Sequence, residues 1–185
     1  MSQFPKVERW DAFIFVDLHK KFQKMNALVD TQQFRMNPRI ISNPEDIFKF
    51  DNGMLKLQHE NRKESVLIES YSGKEKTGFL LILPLFSRSN PEKKQAVFFS
   101  NISCSNRIEA ELLIREGLMC SWEMGYHVAF APDTNSFYGG SEFRKAATNF
   151  FYPVTTGIPF VYSELTWDGI KQISHDLIFP FIVNE

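Results

Sequence analysis

A helix with a sharply marked start lies between two apolar runs, and this arrangement confines the chain to folds with a parallel crossover. Asn106 can accept a hydrogen bond from the N–H of Glu109, and the Glu109 side chain can return to the Asn106 N–H, a variant of the capping box. Leu112, Ile114, Leu118, Met119, Trp122 and Met124 then give the helix a broad apolar surface, and Gly125 is a C-cap signal. Residues 96–102 before the helix and 126–131 after it are apolar enough for buried strands. Strand, helix and strand in this order imply two parallel strands joined by a right-handed crossover.

Upstream, residues 65–71 and 77–86 are aliphatic and aromatic and flank the turn-forming residues 72–76, which predicts an antiparallel hairpin. The second arm is apolar on both faces and reads as a central strand, with Pro84 at a bulge or at its end. Over residues 10–29, Trp10, Phe13, Ile14, Leu18, Phe22, Met25 and Leu28 recur at helical spacing. Residues 37–44 read as a connector holding a short strand at Ile40 and Ile41, and Asn43-Pro44 starts a second helix toward Phe50. Near the C-terminus, Phe160 to Thr166 suggests a strand, and Asp168 caps a final helix with Ile170, Ile173, Leu177 and Ile178 inward.

The 185 residues, 43% of them hydrophobic, suit one core and hence a single domain spanning 1–185, with 1–60 a helical N-terminal region. With 21 basic and 22 acidic residues the net charge is −1, which supplies neither an electrostatic footprint for nucleic acid nor a polybasic face for a membrane. The 19 phenylalanines sit mostly inside apolar runs, as core residues do. Cys104 and Cys120 make no disulfide framework, and Glu8, Asp11 and Asp17 interrupt any signal-peptide run, so a cytoplasmic setting is expected. His19, His59, His127 and His175 are too dispersed for a metal site.

Local wording then narrows the choice. Glu111-Leu112-Leu113-Ile114-Arg115-Glu116-Gly117-Leu118, followed by Met124-Gly125-Tyr126, and later Asp133, Phe137-Tyr138-Gly139 and Phe143-Arg144, resembles the GNAT-type N-acetyltransferases over residues 65–165. The resemblance implies an α/β (α+β) fold, a mixed sheet flanked by helices, with acetyl-CoA held at the start of the capped helix by Asn106, Arg107, Ile108, Glu109 and Ala110. It also implies Tyr138 as the acid that protonates the departing thiolate. The family pattern there is Arg or Gln, two free positions, Gly, one free position, then Gly or Ala, since bare N–H groups must approach the pyrophosphate. These positions fall on Ser105, Ile108 and Ala110, and only Ala110 fits; the family's Phe-Gly-Phe is Ser141-Glu142-Phe143. Glu69, His127 and Glu164 are the ionisable residues in or beside strands and so the candidates for a general base, Glu69 foremost.

Two readings follow. The degenerate cofactor motif favours a non-catalytic relative or one of altered activity, serving in binding or assembly as a homo-oligomer or with a protein partner, through aromatic surfaces of the first helix or of residues 150–159. The alternative is an active acyl-CoA-dependent N-acyltransferase in which the amine attacks the thioester directly, bound where strand 96–102 splays from strand 126–131.

Overall fold

The structure, a computed structural model, describes residues 33–43, 46, 65–132, 145–148, 150–153 and 160–179. The expected helix over 10–29, that over 44–50 apart from Asp46, and residues 133–144 with Tyr138 lie outside them. The described residues form an α+β unit around one mixed sheet, in the order β1-β2-β3-β4-β5-β7-β6, with β8 paired separately to β3. The strands are β1 (Arg35–Ile41), β2 (Ser65–Ser72), β3 (Glu75–Ser87), β4 (Ala96–Ser103), β5 (Val128–Pro132), β6 (Tyr152–Pro153), β7 (Phe160–Glu164) and β8 (Leu177–Ile178). Helix α1 (Arg107–Glu123) connects β4 to β5.

The hairpin forms as predicted, with Ser72 opposite Glu75. Gly73 has φ +62° at the first of the two central turn positions, the requirement of a type II′ turn, which matches strand twist. β4 and β5 pair in parallel, Ala96 with Val128, Val97 with Ala129 and Phe98 with Phe130, as the crossover requires. Gly125 lies one position past the C-cap, at φ +93°; its N–H bonds Trp122 O and the Tyr126 N–H bonds Ser121 O, the two bonds of a Schellman motif.

Four expectations are corrected. The first strand is not confined to Ile40 and Ile41: β1 begins at Arg35 and passes through Pro38, which an outer strand tolerates. Pro84 marks neither a bulge nor the strand end, since the irregularity opposite β4 falls between Leu81 and Ile82 and β3 continues to Ser87. Among the described residues, β2 pairing stops at Ile82 and β8 pairing begins at Phe86, so no described strand pairs with Pro84 on the side away from β4. The last helix is replaced by a single 3-10 turn, Gly169–Gln172, and by β8. Asp168 does not cap it; it turns the chain in the left-handed region at φ 55°, while Ser174 N–H bonds Gln95 Oε1 and the Asp176 carboxylate accepts from Ser87 Oγ and Ser89 N–H. Those tertiary bonds extend a segment that periodicity alone would coil. Finally, within the segment 150–159 read as an aromatic surface, Phe150 and Phe151 are buried in the chain's own core while Tyr152 is exposed, and residues 154–159 lie outside the described ones.

The core divides by sheet face. On the α1 face, Ala110, Leu113, Ile114 and Leu118 meet Val66, Ile68, Leu80, Ile82 and Phe99. Gly117 lets the helix approach, since a Cβ there would stand 2.8 Å from Leu80 Cδ2 and 2.9 Å from Phe99 Cζ. On the other face, Phe160 stacks on Phe179 at 4.6 Å, and Phe98 and Phe130 meet the Phe179 ring edge-on.

Candidate functional site

The start of α1, where the resemblance puts the cofactor, is built around a carboxylate. Asn106 is the N-cap as expected, its Oδ1 accepting from the Glu109 N–H at 2.9 Å, and Ala110 N–H bonds Asn106 O. The Glu109 side chain, however, does not return to Asn106. Oε2 accepts from both the N–H and the Oγ of Ser105, each at 2.6 Å, and Oε1 accepts from the hydroxyls of Ser70 on β2 and Thr77 on β3. The carboxylate is fully buried. Burial pushes its pKa up, but the N–H and hydroxyl of Ser105 with the hydroxyls of Ser70 and Thr77 together hold it below the usual carboxylate value.

Local sequence explains the pocket around Glu109. β2 and β3 slip register between Ser70 and Tyr71, so Thr77 is an extra residue in the ladder and its hydroxyl reaches the α1 face. Gly78 follows it, and a Cβ there would lie 2.3 Å from Ser103 O and 2.8 Å from Glu109 Oε1. Bare backbone is thus required in β3 to admit a carboxylate from α1, not to admit a ligand. Ile108, the branched residue in the motif, is half-buried and packs against Phe34 and Leu112. Half-exposed Arg107 pairs through Nε with buried Glu111 Oε1 at 3.0 Å, and Ala110 is buried in the core.

β4 and β5 pair only as far as Phe98 and Phe130. Beyond that point β5 keeps β7 as neighbour, Ala131 opposite Val161 and Pro132 opposite Phe160, while β4 continues beside β3 to Ser103 with Ser100 as an inserted residue. Phe151 meets Phe99 edge-on at 5.6 Å near this divergence, and Ala146, Ala147 and Phe150 join the same cluster.

The three base candidates do not converge. Glu69 lies near the same end of the sheet as the start of α1 but on the opposite face, its carboxylate 3.2 Å from Arg39 Nε and 2.9 Å from Lys76 Nζ. Burial raises its pKa, and the hydrogen bonds and charges of Lys76 and Arg39 outweigh that, leaving it lowered. His127 and Glu164 flank the opposite end: Val128 pairs with both Ala96 and Glu164, whereas α1 starts beyond Ser103. Seven strand steps separate these ends, roughly 23 Å. His127 Nδ1 lies 2.9 Å from Thr166 Oγ1, and burial, with Lys93 nearby, lowers its pKa. Glu164 Oε1 accepts from the Ile170 N–H.

Sequence reasoning missed the partners of both glutamates: Ser70, Thr77 and Ser105 for one, Arg39 and Lys76 for the other. The Thr77-Gly78 pair inside an apolar strand was the available signal, a polar residue and a bare one where the pattern asks for bulk. Among the described residues, no group of three or more His, Cys, Asp or Glu is placed to hold a metal, and no helix is long and apolar enough to cross a membrane. Compared with known proteins, the chain matches no family model and no curated protein.

Proposed function

We propose that the chain is a GNAT-type fold whose cofactor end is closed from within, and that it works by binding rather than by acyl transfer. The observation that carries this reading is the engagement of Glu109. A diphosphate at a helix start needs free N–H groups and a positive local field. Here the N–H groups of Ser105, Glu109 and Ala110 are already bonded within the protein, and a buried, ionised carboxylate stands among them. An incoming diphosphate would meet like charge at a site where water cannot screen it. Thermal unfolding with millimolar acetyl-CoA tests this. No stabilisation is expected, whereas a ligand at about 100 times its dissociation constant would add roughly 2.7 kcal/mol and contradict the reading.

One observation favours the alternative, an acyl-CoA-dependent N-acyltransferase with Tyr138 as acid: the loss of β4–β5 pairing after Phe98 and Phe130, where that mechanism seats its thioester. In that reading Tyr138→Phe lowers turnover at least about 100-fold, the ordinary contribution of a positioned acid. Unchanged turnover would dismiss the role.

A further inference from the structure

The face of the sheet opposite α1 carries a polar strip that the closed cofactor end does not use. Arg35, Asn37 and Arg39 alternate along β1 on that face, beside Tyr71 and Glu69 of β2 and Lys76 of β3. Each cation is held in place. The Arg35 guanidinium lies over the Tyr71 ring at 4.9 Å, and Glu69, itself buried, anchors Arg39 through Nε and Lys76 through Nζ. Arg39 bonds Glu69 through Nε, one of its five N–H donors, which leaves guanidinium donors for a second acceptor. Its side chain is 42% exposed and that of Lys76 is 50% exposed. Among the described residues, three cations against one carboxylate leave the strip at +2, in a chain whose net charge is −1. Lys74 and Glu75 at the hairpin tip cancel one another.

We propose that this strip is a recognition site for an extended, acidic peptide segment, read through carboxylates four residues apart. Arg35 and Arg39 are four residues apart on one strand, roughly 13 Å, which is also the reach of four residues in an extended ligand. Exposed Asn37 between them offers an amide to the intervening backbone. A single small anion can satisfy only one end of such a row. A carboxylate suits the planar Arg39 fork, and a cation already stacked and another already anchored lose little freedom on binding. Glu69 is then a positioning residue: it never touches the ligand, yet it fixes two of the three groups that do. The assignment rests on the binding role proposed above only in naming what is bound, since none of its residues belongs to α1.

Fluorescence anisotropy on the full chain tests it with two labelled heptapeptides of equal composition, Ser-Glu-Thr-Ser-Thr-Glu-Ser and Ser-Glu-Glu-Thr-Ser-Thr-Ser. The spaced peptide is expected to bind about 10-fold more tightly than the other, and Arg39→Gln to weaken it about 10-fold, the usual scale for one charge-assisted bond. Glu69→Gln separates positioning from net charge. It makes the strip more positive, so a purely electrostatic patch would bind the peptide more tightly, whereas loss of anchoring weakens it. Equal affinity for the two peptides, tighter binding by Glu69→Gln, no binding of either peptide, or displacement by inorganic phosphate as effective as by unlabelled spaced peptide each overturn the proposal. Coenzyme A in a parallel titration keeps the two readings apart: peptide failure with coenzyme A silent sinks only the acidic-segment site, and coenzyme A binding with the peptide result intact sinks only the closed cofactor end.

Discussion

Glu69 and Glu109 are both carboxylates buried against the same end of β2, one on each face of the sheet, and they are stabilised by opposite means. Glu69 is held by two half-exposed cations. Glu109 is held by one backbone N–H and three hydroxyls, with no ion pair among the described residues. The first arrangement is open to water and to a charged ligand. The second is sealed, and its neutral donors leave the negative charge uncancelled at the positive end of α1. One face of the sheet is thus arranged to receive an anion while the other has enclosed its own.

The largest effect should come from Gly78→Ala, which forces a Cβ against backbone Ser103 O and against the Glu109 carboxylate. Backbone cannot swing aside as a side chain can, so a loss on the order of 3 kcal/mol in urea unfolding is expected. A loss below about 1 kcal/mol would mean that the enclosure is loose. Next, Glu109→Gln sets an NH2 group among four donors and should cost about 2–3 kcal/mol in the same measurement. Glu69→Gln should cost less, about 1 kcal/mol, because its partners keep water as a substitute. If the two costs came out equal, the contrast between sealed and open carboxylates would fail.

Salt and pH sharpen the contrast by smaller amounts. In 1 M NaCl, where charges are screened beyond roughly 3 Å, the cost of Glu69→Gln should shrink and that of Glu109→Gln should persist. The Glu109 pKa lies below its ordinary 4.5 in the folded protein, so the unfolded chain binds the proton more readily. The stability it contributes is therefore fully present above about pH 4.5 and is lost as pH falls through the folded value. The difference in stability between wild type and Glu109→Gln should narrow on acidification across that window, and a difference independent of pH would mean that the carboxylate is not ionised in the fold.

Much of the fold could be read from the chain. The hairpin, the capped helix and the parallel pair rest on turn residues, a cap and periodicity, all of them local signals. What escaped depends on partners distant in sequence. Ile108, the branched residue at the motif's glycine position, packs with Phe34 and Leu112, and Glu109, read as half of a capping box, bonds Ser105, Ser70 and Thr77 instead of Asn106 N–H. A four-residue window around Asn106 cannot reveal that Ser70 and Thr77 lie against it. The C-terminal segment failed for the same reason: Ile170, Ile173, Leu177 and Ile178 have helical spacing, but pairing of β8 with β3 and the bonds at Ser174 and Asp176 determine its course. Tyr138 lies outside the described residues, so its role rests on the resemblance alone.

The proposed closure of the helix end is tested most directly by following the backbone amide resonances of residues 105–110 while coenzyme A is added to millimolar concentration. With Glu109 enclosed, those resonances stay where they are. Saturable shifts confined to residues 105–110 would show that a diphosphate reaches these N–H groups, and the helix start would then have to be open.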